Sequence, residues 1–175
     1  MRQLRLALTA VAATAAAAVA ATGCAHAQPG PPPSVPPPLP QAGAPCAAHL
    51  DGALTPLPPP ADSAPSRAKN LLECAEGTWQ TYRDPYPAPD RWLTTGPELV
   101  LSGMRNPEIS AGTWTGTPQS VDTRCGAEQV EVVAAGQTSD PQPLTGGPGE
   151  PLRVRVSDRL FTLKLSGYCL WQHDG

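Results

Sequence analysis

The feature that most constrains this chain is its amino-terminal segment, because its pattern predicts in which compartment the rest of the chain folds. Arg2 and Arg5 precede an uninterrupted run of apolar and small residues from Leu6 to Ala21, which is the pattern of a signal peptide. The run is shorter and richer in alanine than a membrane span, which needs about 20 strongly apolar residues. We therefore expect residues 1–23 to be removed on export and the mature chain not to span a membrane.

The residues around Cys24 offer two cleavage sites. Ala21-Thr22-Gly23-Cys24 resembles a bacterial lipobox, in which diacylglycerol alkylates the cysteine thiol and cleavage leaves that cysteine first. This pattern predicts a protein anchored through Cys24 to the outer face of the cytoplasmic membrane. The alternative is Ala25-His26-Ala27, which fits the small-x-small rule of ordinary signal peptidase and would release a soluble chain from Gln28.

The composition of the exported part limits its partners and its size. Removing residues 1–23 deletes two arginines and no acids, so the formal charge falls from -3 to -5. An acidic chain has no electrostatic basis for binding nucleic acid, and we expect none. The remaining residues suffice for one domain and a tail, with few aromatic side chains to build a core.

Four cysteines remain after Cys24, and in an oxidising compartment they predict two disulfides. Three connectivities are possible, and the favoured one joins Cys46 to Cys74 and Cys125 to Cys169, because each pair then lies within one compositional unit. A zinc site is the alternative, although no two of these cysteines have the spacing of zinc ligands.

Proline content divides the exported chain. Residues 24–65 are predicted to form a proline-rich stalk, since Pro31–Pro33 and Pro36–Pro40 favour the polyproline II conformation. Residues 66–175 are predicted to form the folded head. Within the head, Ser66–Glu76 is the one helical candidate, because its apolar residues recur at helical spacing and Gly77 follows as a stop.

The rest of the head has the pattern of strands. Strands are predicted at residues 77–81, 92–95, 98–102, 112–117 and 129–135, followed by a long loop at 136–149. Two final strands, 152–156 and 161–165, are predicted to form a hairpin in which Arg153 faces Thr162. The fold class is therefore a small disulfide-stapled β-sandwich or barrel-like domain with at most one short helix.

Chemistry-bearing motifs are sparse, and no enzyme, cofactor or metal site is predicted. None of the three histidines lies in a nucleophile pattern, and the glycine-rich stretch at 145–149 lacks the lysine of a phosphate loop. Trp92 and Trp114 are candidates for a ligand surface, with core packing as the alternative. Arg153 and Arg155, together with Arg159 and Lys164, are candidates for a cationic strip, with an ordinary polar sheet face as the alternative.

Several short motifs resemble the C-terminal module of actinobacterial, mycobacterial-type secreted proteins and lipoproteins. They are residues 106–114, Cys125, residues 154–161 and residues 167–171, and the likeness covers roughly residues 77–173. The resemblance implies an all-β, disulfide-linked module outside the cytoplasm. The expected function is therefore a non-enzymatic envelope lipoprotein that displays an interaction or structural module to an envelope protein or polymer. The alternative is a carrier or hydrolase with a shallow aromatic pocket.

Overall fold

The computed structural model describes residues 38–57 and 69–175 and confirms a mainly β fold. Within these ranges the only helical turn is a 3-10 turn at Ala48–Leu50, and no helix there is long and apolar enough to cross a membrane. The strands are β1 (Leu54–Pro56), β2 (Leu71–Ala75), β3 (Thr78–Thr81), β4 (Arg91–Ser102), β5 (Gly112–Pro118), β6 (Gly126–Ala134), β7 (Gln137–Thr138), β8 (Gln142–Thr145), β9 (Leu152–Val156) and β10 (Leu160–His173).

The strands form one mixed sheet in which β10 is the central strand. The main path runs β3-β2-β1-β4-β10-β5-β9, and β6 carries β7 and β8 as a branch. One side of β10 pairs with β4, while the other side pairs first with β6 and then with β5. Because β10 changes partner along its length, the sheet divides into two arms instead of closing into a barrel.

Alternation along the central strands creates two hydrophobic clusters. Cys169 and Trp171 of β10 belong to the larger cluster, whereas Leu170 between them belongs to the smaller one, so the clusters lie on opposite faces of the sheet. The Cys125–Cys169 disulfide lies in the larger cluster, and the Cys46–Cys74 disulfide joins the smaller one. The favoured connectivity is thus confirmed, and the zinc alternative is excluded because all four sulfurs are bonded.

Three tryptophans on neighbouring strands form the centre of the larger cluster. Trp92, Trp114 and Trp171 are at most 1% exposed, and each indole N–H has an acceptor. Because burying an unpaired donor is costly, these bonds explain how a small core accommodates three indoles. The acceptors are Glu108 O at 3.1 Å, Ser110 O at 2.9 Å and Thr94 Oγ1 at 3.4 Å, respectively.

The predicted helix at residues 66–76 is wrong wherever it falls in the described part of the chain. Leu71–Ala75 form β2, which is hydrogen-bonded to β1 on one side and to β3 on the other. The turn into β3 uses Glu76 and Gly77, both with positive φ. The apolar spacing fits a helix in isolation, but a helix this short cannot compete with two strand partners and a disulfide at Cys74.

The predicted β9–β10 hairpin does not form. Arg153 lies opposite Thr115 of β5, not opposite Thr162, because β9 pairs with β5. Both sides of β10 are already occupied by other strands, and Thr162 pairs with Ser102 and Val130. Ser157 and Asp158 are poor residues for a tight hairpin turn, so nothing local compensates for the missing pairing.

Part of the stalk predicted at residues 24–65 is instead folded. Residues 38–57 belong to the same compact unit as the head, since the unit begins at Pro37. Leu54 of β1 is buried between β2 and β4, and Cys46 is tied to Cys74. The proline in β1 is compatible with pairing because Pro56 is the last residue of the strand, where a missing N–H costs little. The rest of the predicted stalk lies outside the described residues.

The remaining strand predictions hold, with changes at the boundaries. Strands at 77–81, 112–117 and 129–135 correspond to β3, β5 and β6, and the loop at 136–149 contains the short β7 and β8. The predicted strands at 92–95 and 98–102 merge into β4, and the predicted strand at 161–165 is part of the longer β10. Alternation predicts Phe161 on the same face as Leu163 and Leu165, but a register shift between Leu160 and Thr162 directs Leu160 into the core and leaves Phe161 42% exposed.

Candidate functional site: the free edge of β9 and its cleft

The hydrogen bonds of β5 show which of its residues pair with β10 and which pair with β9. The N–H of Asp174 donates to Thr113 O at 2.8 Å, so the backbone of Thr113 points toward β10. Successive residues of a strand direct their N–H and C=O groups to alternate sides. The backbone of Trp114 therefore points the other way, toward β9.

The same alternation leaves part of the β9 backbone without a strand partner. Trp114 lies opposite Val154, so Val154 makes the ladder bonds to β5. The N–H and C=O groups of Arg153 and Arg155 point to the opposite side, where the sheet path ends. Val154 faces the core, whereas both arginine side chains lie on the exposed face. β9 is thus an open edge with two arginines on one face.

Arg153 is already engaged by the chain terminus. Its Nη2 donates to Asp174 Oδ2 at 2.8 Å, and Thr115 Oγ1 donates to the same carboxylate. The hydrogen bond from Arg153, followed by the one from Thr115, lowers the pKa of Asp174 below its ordinary value of 3.8. The ion pair is exposed, with 74% of the Arg153 side chain accessible, so its contribution to stability is small.

The pH dependence of stability tests this ion pair. Since the pKa of Asp174 is lowered in the folded state, its stabilising contribution is complete above the ordinary value of 3.8 and is lost as the pH falls through the lower folded value. Asp174→Asn should therefore be slightly less stable than the wild type at about pH 6, and this difference should shrink as the pH falls below 3.8. Urea unfolding across this pH range measures this difference.

Asp140→Asn is the matched control, because it makes the same charge change at an exposed residue without an ion pair among the described residues. If the stability difference between Asp174→Asn and the wild type stays the same at low pH, the ion pair between Asp174 and Arg153 is not its cause.

A cleft of about 370 Å³ opens where β9 ends. On one wall Glu131 of β6 accepts from Gln129 Nε2 at 2.9 Å and lies 3.6 Å from Arg159 Nη2. On the other wall Ser157 N donates to Gln129 Oε1 at 3.1 Å, which links β9 to β6. The cleft is lined by Ala111, Gly112, Glu131, Arg155, Val156, Ser157 and Asp158.

Arg155 is the cation that the cleft leaves available. Among the described residues, no ion pair or side-chain hydrogen bond involves its guanidinium, whereas Arg159 lies against Glu131. A guanidinium presents a planar fork of donors that matches a carboxylate. The geometry therefore favours an anionic group in contact with Arg155, at the point where the free edge meets the cleft.

The structure separates the site residues expected from the sequence. Trp92 and Trp114 are 0% and 1% exposed, so neither forms a ligand surface, and the aromatic pocket of the alternative function is not built from them. The cationic strip is divided, because Lys164 lies 2.8 Å from Glu128 on another part of the sheet. Arg153 and Arg155 do share one exposed face. Cys24 lies outside the described residues.

The acidic and hydroxyl groups of the cleft were not predicted from the sequence. Glu131 lies far from Ser157 and Asp158 along the chain, and only the order of β6, β10, β5 and β9 brings them together. No local spacing signals such a site. Within the described residues, no three His, Cys, Asp or Glu side chains are placed to hold a metal ion.

The fold and the site together define a small disulfide-bonded β domain whose mixed sheet is open at β9. No family model, curated protein or solved structure matches the chain. A function for this chain is therefore inferred from its disulfides, its free sheet edge and the signal-peptide pattern of residues 1–23.

Proposed function

We propose that this protein is exported, anchored in the cell envelope through a lipid on Cys24, and displays its β domain on a proline-rich stalk as a non-enzymatic interaction module. The observation that carries the proposal is the position of the two disulfides. Cys74, Cys125 and Cys169 are fully buried, so both bonds are built into the core. Such bonds form and persist in oxidising compartments, which supports export.

The interaction role is supported by the open end of the sheet. A free strand edge in a small domain offers backbone groups to another chain, and proteins usually cover or blunt such edges. The edge of β9 continues into a cleft with an available guanidinium. The resemblance of short motifs in this chain to actinobacterial secreted proteins and lipoproteins also supports the proposal of display in the envelope.

Metabolic labelling with a fatty-acid probe tests the anchor. The wild type should be labelled and remain with the membranes, whereas Cys24→Ala should lose the label, because only the lipobox thiol is alkylated. Cys46→Ala with Cys74→Ala is the control: it also removes cysteine residues, leaves no unpaired thiol behind, and should keep the label. An unlabelled wild type released into the medium with Gln28 as its first residue would overturn the anchor and establish the secreted alternative.

Cross-linking in intact envelopes tests the interaction role. We expect purification of the cross-linked wild type to recover a protein attached to the β domain. Recovery of the chain alone, together with a small molecule bound in native mass spectrometry, would contradict an interaction module and support the carrier.

A further inference from the structure

We propose that the free edge of β9 binds an extended acidic peptide segment by strand addition, in the antiparallel sense, with acidic side chains opposite Arg153 and Arg155. This inference rests on the interaction role proposed above and names the chemistry of the partner. In this mode main-chain hydrogen bonds provide affinity and alternate side chains provide specificity.

The backbone of β9 is suited to strand addition because two consecutive outward positions are free. Arg153 and Arg155 both direct N–H and C=O toward the open side, as the pairing of Val154 with Trp114 requires. At the next outward position Ser157 N already donates to Gln129 Oε1. The available ladder thus comprises the backbone groups of two residues and ends at the cleft.

The opposite end of the main sheet path, at β3, is already covered. Gly43 N donates to Trp79 O at 2.7 Å, and Trp79 N donates to Ala44 O at 2.8 Å, so the segment before the 3-10 turn occupies the edge of β3. A second chain cannot pair there without displacing this segment and opening the loop closed by Cys46.

The edge of β8 is blocked in another way. Gly146 N donates to Cys125 O at 2.9 Å, so the backbone of Gly146 points toward β6. By alternation the backbone of Pro143 points outward, and proline has no N–H to offer. By the same alternation Thr145 also points outward, so β8 offers one N–H donor, whereas β9 offers the donors and acceptors of two consecutive outward residues.

Charge determines which segment fits. Residues directly opposite each other in an antiparallel pair have their side chains on the same face, so an added strand places alternate residues against Arg153 and Arg155. Arg155 has no ion pair among the described residues. Arg153 contacts Asp174 through Nη2, which leaves its Nε and Nη1 donors for a second carboxylate. A Glu-x-Glu segment supplies both carboxylates at this spacing.

The antiparallel direction places the amino-terminal side of the bound segment beside the cleft. Asp158 and Glu131 contribute carboxylates there, so a basic residue fits at that end and a further acid does not. The matching ligand is therefore an extended, β-prone peptide in which a basic residue precedes two acidic residues separated by one residue.

Two other occupants are disfavoured. Two copies of β9 paired about a two-fold axis would place arginine opposite arginine, which is a repulsive cross-strand pair. The chain's own segments outside the described residues lack the required pair of acids. Residues 1–37 contain no Asp or Glu, and the only acidic residue in 58–68 is Asp62, which follows Pro58–Pro60 closely. The occupant is therefore a separate acidic chain.

Fluorescence anisotropy with the purified mature protein, both disulfides oxidised and in mild detergent, tests this inference. The probe is a labelled, capped Lys-Val-Glu-Val-Glu-Val peptide. We expect saturable binding that weakens with added salt, and Arg155→Glu should weaken it about tenfold or more, because a charge-assisted hydrogen bond becomes a repulsion. Arg83→Glu makes the same charge change on an exposed residue near β3 and should bind like the wild type.

A second peptide, N-methylated at both glutamates, separates strand addition from simple charge attraction. It keeps both carboxylates but loses the two N–H donors that the carbonyls of Arg153 and Arg155 would accept, so its binding should be lost. Equal binding of the N-methylated peptide, or equal binding by Arg155→Glu, would overturn the inference. Absence of binding would also overturn it, while labelling at Cys24 and envelope cross-linking would still test the proposed function separately.

Discussion

Replacing Cys125 and Cys169 together by alanine is expected to lower the free energy of unfolding by about 4 kcal/mol. The bond closes a loop with a sequence separation of 44 residues, and its removal increases the conformational entropy of the unfolded chain. Both cysteines are 0% exposed within the larger cluster, so relaxation of the site is restricted. The loss is comparable to much of the net stability of a small domain, which is about 5–15 kcal/mol.

Urea unfolding followed by tryptophan fluorescence measures this loss. The matched control is Cys46→Ala with Cys74→Ala, which opens a loop with a sequence separation of 28 and is expected to cost about 3.6 kcal/mol on the same entropic basis. A Cys125→Ala/Cys169→Ala protein as stable as the wild type would show that the bond does not support the core.

Trp171→Ala is expected to destabilise the domain by about 3–5 kcal/mol, the range for removing a large buried aromatic side chain. Trp171 is fully buried, directly opposite Trp92 on β4. Its ring lies over Gly116, where an added Cβ would be 2.7 Å away, so the space is shaped for this pair. The substitution also leaves Thr94 without one of its partners.

Phe161→Ala is the control for Trp171→Ala, because Phe161 lies on the same strand but is 42% exposed. Its removal should change the free energy of unfolding by less than about 1 kcal/mol, since most of its surface stays in water. Thermal and urea unfolding of the two variants measure the contrast. Equal stability losses would contradict the assignment of Trp171 to the core and Phe161 to the surface.

Elements that depend on local pattern were predictable from the sequence. Alternation of apolar and polar residues located β9 and the first half of β10, and glycine followed by threonine and tryptophan located β3 and β5. The disulfide pairs were also predictable, because each pair lies within one compositional unit. These signals are properties of neighbouring residues, so they survive without knowledge of the fold.

Pairing between distant segments was not predictable. Ser66–Glu76 has helical spacing, yet its described part is a strand because β1 and β3 flank it. The cleft likewise depends on partners far apart in the chain. Sequence identified Arg155 as an exposed candidate, but the backbone orientation that leaves its N–H and C=O free depends on the register of β9 against β5.

The sequence by itself determined the β character of the chain, the two disulfides, and the residues that carry exposed positive charge near its end. The tertiary structure alone decided that β9 pairs with β5, that Trp92 and Trp114 are core, and that the outer edge of β9 has no strand partner among the described residues. The physical reason is that strand propensity and alternation act over a few residues, whereas strand order depends on which distant surfaces bury the most apolar area together.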